Sequence, residues 1–329
     1  MGTRSSSFRS FLNDPSWDAP FFKRLARNDT PEAPGHQSGV VLPKSLRQYL
    51  PTLNASATSR AIPTADRRLQ AEMFVGMERV AENDLRYQIQ TWGGTRPPEG
   101  RVTDGLGPLR DRSGTDDILI FQRSAESLER FRLILVRQEA DEYPAVDSMA
   151  GIRRWGPLIE SEPPVSQDAL TLANSEMEAV AQGPFQSQRS VVQRTESRQT
   201  RIARNAAFRE RVRLEYGGRC AISGIAILAP SGRREVESAH VVPVGERGVD
   251  DVRNGLALTR TLHWAFDRGL LGVLPKRVVY VPKQVRELAE NSFLAKFNGR
   301  PICEARTAAL RVHPDALDWH YENRVRKWD

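Results

Sequence analysis

Cysteine is nearly absent from this sequence, in which Cys220 and Cys303 are the only two thiols among 329 residues. Two cysteines so far apart cannot build a disulfide framework or a four-cysteine zinc site. We therefore expect a protein of the reducing cytoplasm, in which both thiols are packing residues rather than metal ligands.

Long apolar runs are also missing. No stretch approaches the roughly 18 consecutive apolar residues of a membrane span, and the N-terminus from Met1 to Pro20 is polar and rich in serine. Since this segment has no apolar stretch of signal-peptide type, we expect a protein that is not exported. We expect a cytoplasmic protein with no membrane partner.

Acidic residues are fewer than basic ones, with 41 Asp plus Glu against 48 Lys plus Arg and a formal charge of +7. The excess is concentrated in one segment that holds eight arginines: Arg189, Arg194, Arg198, Arg201, Arg204, Arg209, Arg211 and Arg213. Such a segment is either a solvated helix face or a surface that contacts phosphates. The residues alone leave both interpretations open.

The length favours two domains. Apolar runs separated by Gly- and Pro-rich loops predict a mostly-β first domain, with strands at Gly39 to Pro43, Leu85 to Trp92, Ile118 to Phe121 and Phe131 to Val136. We divide the chain into a polar tail (1–16), a first domain (17–165), a linker with a possible helix near Ala169 to Ala181 (166–203) and a second domain (204–329).

The most informative motifs lie in the second domain. They are Cys220-Ala-Ile-Ser-Gly224, Glu237-Ser-Ala-His240-Val-Val-Pro243, Asn254-Gly-Leu-Ala-Leu258 and His263-Trp-Ala-Phe-Asp267-Arg-Gly269. In order and spacing they resemble the His-Asn-His (HNH) nuclease family over about 60 residues, a longer match than a lone short motif provides. The resemblance implies a ββα-metal endonuclease.

The residues are consistent with that fold. Val236 to Val242 reads as a strand, and a loop leads through Asn254 to the apolar run Leu256 to Leu258. His263 and Asp267 then lie four residues apart in a predicted helix, so both side chains share one face. Cleavage of a phosphodiester needs an activated water and positive charge near the phosphate oxygens, which an imidazole and a divalent cation can supply.

The family resemblance also implies roles for three catalytic residues. His240 would be the general base, Asn254 would fix the loop and help orient the His240 ring, and His263 would hold the metal. The commonest family pattern has an aspartate ligand just before the first histidine, where this sequence has Ala239. Asp267 is our first choice for the missing carboxylate and Glu237 the reserve, with Mg²⁺ or Mn²⁺ as the cofactor.

The first domain carries a second, patchier resemblance. Lys23-Arg-Leu-Ala-Arg-Asn28-Asp29-Thr30, Gly35-His36-Gln37-Ser-Gly39 and Arg86-Tyr87-Gln88-Ile89-Gln90 are similar to the N-terminal effector-binding domain of EcoRII-type restriction endonucleases. That domain is a DNA-reading pseudobarrel. The resemblance implies two protruding arms, at about Arg27 to Gln37 and Glu82 to Gln90, that grip the major groove.

The residue types in the two arms suit DNA. Asn28, His36, Gln37, Gln88 and Arg86 can read base edges, while Lys23 and Arg24 can meet phosphates. Asp29 and Tyr87 complete the predicted DNA-binding set. A turn or helix cap at residues 28–30 is the alternative. Where the family has further basic residues in the second arm, this chain has Tyr87 and Gln88, so its target sequence does not follow from the resemblance.

The sequence thus predicts an α+β protein with an N-terminal mostly-β DNA-binding pseudobarrel and a C-terminal ββα-metal HNH nuclease domain. Its leading function is a type II restriction endonuclease that cleaves double-stranded DNA as a homodimer or by sequential nicking, with a cognate DNA methyltransferase as functional partner. The alternatives are a ligand-activated antiviral nuclease and a DNA-binding regulator with an inactive nuclease remnant.

Overall fold

The structure is a computed structural model that describes residues 2–33, 39–92, 97–125, 127–189, 198–228 and 234–329. The chain forms two compact units, Met1–Leu170 and Thr171–Asp329. None of the helices in these described ranges is long and apolar enough to cross a membrane.

The first unit is built on one large, curled sheet. Its described strands are β1 (Phe21–Arg24), β2 (Val40–Leu42), β3 (Thr64–Val75), β4 (Glu78–Gln90), β5 (Glu99–Thr103), β6 (Ile118–Arg123), β7 (Arg130–Val136) and β8 (Trp155–Pro157). They are ordered β2-β5-β4-β3-β7-β6-β1-β8. All described pairs are antiparallel except β3 with β7, and the curl of the sheet makes a half-barrel.

Apolar side chains cover both faces of this sheet, so the sheet lies between two hydrophobic cores. Strand β6 is buried along its whole length, and its alternate side chains enter different cores. Leu119 and Phe121 join one core, whereas Ile118 and Ile120 join the other. A strand covered on both faces reads as a continuous apolar run, which is why it was evident in the sequence.

Helices α1 (Gly2–Leu12), α2 (Gly107–Arg110) and α3 (Tyr143–Ala150) complete the first unit. Phe8 and Leu12 of α1 are buried in the core on the Ile118 side of the sheet. The expectation of a polar tail over residues 1–16 was therefore wrong. Two or three apolar side chains gave too weak a periodic signal, and the helix is stabilised by tertiary burial rather than by its own propensity.

The second unit contains the following helices and strands: α4 (Gln167–Gln182), which begins before the boundary, α5 (Arg198–Glu215), β9 (Glu237–His240), β10 (Gly255–Leu258), α6 (Arg260–Asp267), β11 (Gly272–Leu274), β12 (Val278–Tyr280), α7 (Lys283–Arg286), α8 (Ser292–Ala295) and α9 (Pro314–His320). The helix expected near Ala169 to Ala181 is thus present as α4. The wider domain and linker bounds stay a prediction.

The antiparallel hairpin of β9 and β10 and the helix α6 form the predicted ββα arrangement. His240 pairs with Gly255 and Glu237 with Leu258 across the hairpin. Helix α6 buries Leu262, Ala265 and Phe266, which leaves His263 and Asp267 on another face. The predicted α+β fold class, with a curled β-rich first unit and a C-terminal ββα region, is confirmed.

Candidate active site

The ring of His240 is held on two sides. It stacks on Phe208 of α5, with ring centroids 3.7 Å apart and an angle of 13° between the planes. Its Nε2 lies 3.0 Å from Oδ1 of Asp250. Because a carboxylate oxygen accepts, the hydrogen bond is donated by the ring nitrogen. Phe208 therefore fixes the ring plane, and Asp250 fixes which ring edge faces the loop.

Asp250 is buried and lies in a positive environment. Its second oxygen, Oδ2, pairs with Arg189 and lies 3.3 Å from the guanidinium of Arg204. Burial alone would raise the pKa of this carboxyl group, but the hydrogen bond and charge of His240 and the charges of the two arginines outweigh it and lower the pKa. Asp250 is consequently an ionised acceptor at neutral pH.

Asn254 closes the loop that brings Asp250 to His240. The Asn254 amide accepts from the backbone N–H of Val242 at 2.9 Å and donates to the carbonyls of Val242 at 3.1 Å and Val249 at 3.0 Å. The side chain is fully buried. Asn254 thus joins both ends of the loop, and its effect on the His240 ring passes through the adjacent Asp250.

Gly248 allows the same loop to fold tightly. A Cβ atom added at Gly248 would lie 1.8 Å from the carbonyl oxygen of Val242, a distance that no side chain tolerates. Its N–H donates to the carbonyl of Pro243 at 2.9 Å. The close backbone approach therefore requires glycine at this position.

His263 lies between the two carboxylates that the sequence suggested. Its Nδ1 is 3.0 Å from Oε2 of Glu237, and its Nε2 is 3.6 Å from Oδ2 of Asp267. Asp267 is four residues along α6 from His263, and Glu237 lies on β9. One candidate carboxylate therefore faces each nitrogen of the ring.

The charges in this cluster are coupled. The hydrogen bond from His263 is the main cause that lowers the pKa of Glu237, against the opposing effect of burial. For His263, burial lowers the pKa, but the hydrogen bond to Glu237 and the negative charges of Asp267 and Glu237 outweigh it and leave the pKa raised. Arg260 also bonds to Glu237, through Nε at 2.9 Å.

The donors around His263 fit a hard divalent cation in type. An imidazole nitrogen and carboxylate oxygens suit Mg²⁺ or Mn²⁺. Among the described residues, no three His, Cys, Asp or Glu side chains converge on one point. The protein would therefore provide few ligands and leave the remaining positions to water and phosphate, as Mg²⁺ sites commonly do.

Sequence reasoning identified His240, Asn254, His263, Asp267 and Glu237 but missed two partners of the His240 ring. Asp250 stands four residues before Asn254, and Phe208 lies on the helix ahead of the motif. The sequence signal for Asp250 was an acidic residue in the loop just before Asn254. Phe208 gave no signal beyond the apolar periodicity of its helix.

Three residues of the predicted DNA-binding set, at and just before the first arm, have structural roles. Lys23 is buried and pairs with Asp29 at 2.6 Å, and burial lowers the Lys23 pKa despite this partner. Asp29 also accepts from the N–H groups of Ala26 and Val41. Arg24 bonds to Tyr143, to backbone carbonyls and to Asp147. These polar groups already have partners inside the unit, and their DNA contacts stay predictions.

The second predicted arm is a strand within the sheet. Glu82 to Gln90 belongs to β4, which pairs with β3 along its length and with β5 from Arg86 onward. Tyr87 is buried, and burial raises its pKa to about 12. Gln88 is buried as well. Tyr87 and Gln88 therefore present little surface to a base, and the arm over Glu82 to Gln90 and its DNA contacts stay predictions.

Two predicted DNA-reading residues remain accessible. Asn28 is exposed in a short 3₁₀ turn. Arg86 is about one-third exposed and bonds to Asp66 at 3.0 Å. His36 and Gln37 lie outside the described residues. The DNA-binding roles of all four stay predictions.

The arginine-rich segment is divided between structural and exposed positions. Arg189 and Arg204 bind Asp250, and Arg211 pairs with Glu178 and Glu215, whereas Arg201 and Arg213 are exposed. Arg194 and the side chain of Arg198 lie outside the described residues. Neither the solvated face nor the phosphate-contacting surface that the sequence suggested includes arginines that bond to a carboxylate inside the site.

The two cysteines also differ from each other. Cys220 is buried, as a packing residue should be, whereas Cys303 is exposed, so the packing role expected for it was wrong.

Comparison with known proteins gives a family match for the centre of the second unit. Residues 220–274 match the model of the HNH endonuclease family, and they contain the hairpin, the helix α6 and all three residues His240, Asn254 and His263. This segment of the second unit is therefore similar to HNH endonucleases. A search of curated proteins gives no significant match.

Among solved structures, the chain is similar to a "Modification dependent TagI restriction endonuclease", with a TM-score of 0.31 and 12% identity over 91% of this chain and 80% of that one. It is also similar to the B3 domain of the UbaLAI restriction endonuclease, solved with its cognate DNA. That match has a TM-score of 0.28 and 18% identity over 41% of this chain and 79% of that chain. At these scores the likenesses carry no weight for the function.

Proposed function

We propose that the protein is a divalent-metal-dependent DNA endonuclease of the type II restriction class. The observation that carries the proposal is the pair of histidine sites in the module at residues 220–274. His240 is bonded to Asp250, and His263 lies between Glu237 and Asp267. A general base and an oxygen-rich metal position are the two elements that phosphodiester hydrolysis needs.

In the proposed reaction, His240 removes a proton from water, and the resulting hydroxide attacks the scissile phosphorus. A new P–O bond forms, the bond to the 3′ oxygen breaks, and the leaving oxygen takes a proton from solvent. When bound at His263, Mg²⁺ or Mn²⁺ would supply Lewis-acid stabilisation of the charge on the phosphate. Asn254 holds the loop that keeps the base in place.

The tautomer of His263 supports one choice of ligand. Glu237 can only accept from Nδ1–H, which leaves the Nε2 lone pair free on the side of Asp267. We therefore assign His263 and Asp267 to the metal and Glu237 to the orientation of the ring, an arrangement common around metal-binding histidines.

The first unit would supply sequence recognition. Its curled β-sheet and the accessible residues Asn28 and Arg86 support this part of the proposal, together with the overall positive charge. Because one ββα-metal site cuts one strand, double-strand cleavage would be carried out by a homodimer or by two sequential nicks. A cognate methyltransferase would protect the host DNA.

The test is incubation of the full-length protein with plasmid DNA in Mg²⁺ or Mn²⁺, followed by sequencing of the cut ends, with a chelator as control. Cuts at one recurring short sequence, abolished by the chelator, support the proposal. Sequence-specific binding without cleavage would indicate the regulator instead. Cleavage that starts only after a small molecule is added would indicate the ligand-activated nuclease.

A further inference from the structure

Asp250 has a position in the site that the family motif does not assign. The residue follows directly after Val249, whose carbonyl Asn254 holds at 3.0 Å. Its carboxylate then bridges His240 on one oxygen and two arginines on the other. A buried carboxylate with both oxygens so committed has one stable orientation.

Helix α5 supports this arrangement at two points one turn apart. Phe208 stacks on the His240 ring, and Arg204, four residues earlier, faces Oδ2 of Asp250. Strand β9 is also tied to this helix, because Oγ of Ser238 donates to the carbonyl of Arg209 at 2.8 Å. The ring, its carboxylate partner and the helix therefore form one connected unit.

We infer that Asp250 is the positioning residue of His240: by accepting from Nε2–H it fixes the ring tautomer and keeps Nδ1 as the nitrogen that takes the proton from water. A neutral imidazole carries an N–H on one nitrogen and a free lone pair on the other. The acceptor that binds the N–H therefore determines which nitrogen keeps the lone pair. The inference rests on the proposed function for its catalytic consequence. The tautomer itself does not depend on that function.

The substitution Asp250→Asn isolates this role because the arginines control how the new amide turns. The guanidinium groups of Arg189 and Arg204 can only donate, so the amide oxygen takes the place of Oδ2. The NH₂ group then faces Nε2 of His240 and donates to it. The ring proton then lies on Nδ1. This nitrogen no longer has the lone pair that would accept a proton from water.

The neighbour Asp251 provides a matched control. It is also buried, and it bonds to the backbone N–H and guanidinium of Arg253 rather than to His240. Asp251→Asn therefore makes the same chemical change one residue away. It reports the loss of a buried ion pair without a change at the ring.

The first measurement is ¹⁵N NMR of the full chain labelled at its five histidines, in alkaline buffer without metal, with His240→Gln to assign the signals. We expect the proton on Nε2 in the wild type and in Asp251→Asn, and on Nδ1 in Asp250→Asn. A wild-type proton on Nδ1 overturns the inference, and this outcome needs neither a variant that folds nor an active enzyme.

The second measurement is single-turnover cleavage at saturating metal and DNA. Asp250→Asn should be slower by about 10²- to 10⁴-fold, the usual contribution of a general base, with unchanged DNA affinity. Folded Asp251→Asn should cleave at close to the wild-type rate. A folded Asp250→Asn that cleaves normally overturns the inference. If the wild type cleaves no DNA, the proposed function fails, and the NMR result still decides the tautomer.

Discussion

Glu237 on the first hairpin strand accepts a hydrogen bond from Nδ1 of His263 on the closing helix, across 3.0 Å. This contact joins two of the three elements of the ββα unit through their functional side chains. It also gives the two candidate carboxylates different positions. Glu237 is bonded to Nδ1, whereas Asp267 lies 3.6 Å from the other ring nitrogen, Nε2.

Metal affinity should follow that division. Asp267→Asn removes a charged ligand, whereas Glu237→Gln loosens the ring and typically costs about 10- to 100-fold in affinity when such a partner is removed. We expect both variants to need more Mg²⁺ or Mn²⁺, with the larger shift in Asp267→Asn. Mn²⁺ binding by calorimetry and metal titration of cleavage both measure it, with Asp318→Asn, an exposed carboxylate on α9, as the control.

The order of the two shifts is decisive. A larger shift in Glu237→Gln would place the cation at Nδ1 and reverse the assigned roles. No shift in either variant would show that neither carboxylate is a ligand.

Asn254→Ala should destabilise the second unit. The change leaves the N–H of Val242 and two carbonyls without their side-chain partner in a fully buried place. Each such group costs about 1 to 3 kcal/mol when it stays unpaired. We expect a lower urea midpoint, whereas Asn323→Ala on the exposed surface should change the free energy of unfolding by less than about 0.5 kcal/mol and leave the midpoint nearly unchanged. Equal midpoints for the two variants would contradict the loop-closing role.

Local pattern explains which parts of the site were evident in the sequence. The hairpin and α6 were predictable because alternation, the loop residues and the spacing of His263 and Asp267 lie within a short segment. The contact of Asp250 with His240 was not, because it depends on the path of the loop. That path is set by the close approach at Gly248 and by Arg247, which has a positive φ of 64°.

Pairing within the folded chain explains which contacts of the first unit were not evident in the sequence. The alternation in β4 shows a strand, but not that strands β3 and β5 lie on either side of it. Lys23 and Arg24 were taken for phosphate ligands because basic residues are mostly exposed. Their partners Asp29 and Asp147 come together only in the folded sheet and its helices.

His320 should make the protein sensitive to mild acid. Burial lowers its pKa from 6.5 to about 4, so the unfolded chain binds a proton in the range where the folded chain does not. This contribution to stability is complete above pH 6.5 and is lost as the pH falls toward 4. We expect the free energy of unfolding to drop by about 2 kcal/mol between pH 7 and pH 5 from this residue.

The comparison of wild type with His320→Gln isolates that effect, because the raised pKa of His263 acts in the opposite direction in both proteins. Urea unfolding at the two pH values should show a smaller loss for the variant. An equal loss in both proteins would show that His320 is protonated in the folded state.

Arg86 should contribute to base recognition if the first unit reads DNA. Arg86→Ala should cost about 1 to 3 kcal/mol in binding and relax the preference at one base pair. The measurement is selection from a random duplex pool with the full chain and no metal, followed by anisotropy titration. Arg79→Ala is the matched control, since Arg79 lies exposed on the same strand and pairs with Glu82. Equal losses at all sequences for both variants would mean that Arg86 contributes only charge.

The most direct test of the endonuclease assignment is the single-turnover rate of DNA cleavage by pure His240→Ala beside the wild type, in the same metal buffer. The general base assigned to His240 predicts a loss of about 10²- to 10⁴-fold, with DNA binding close to that of the wild type. Cleavage by His240→Ala at the wild-type rate would contradict the assignment of the active site.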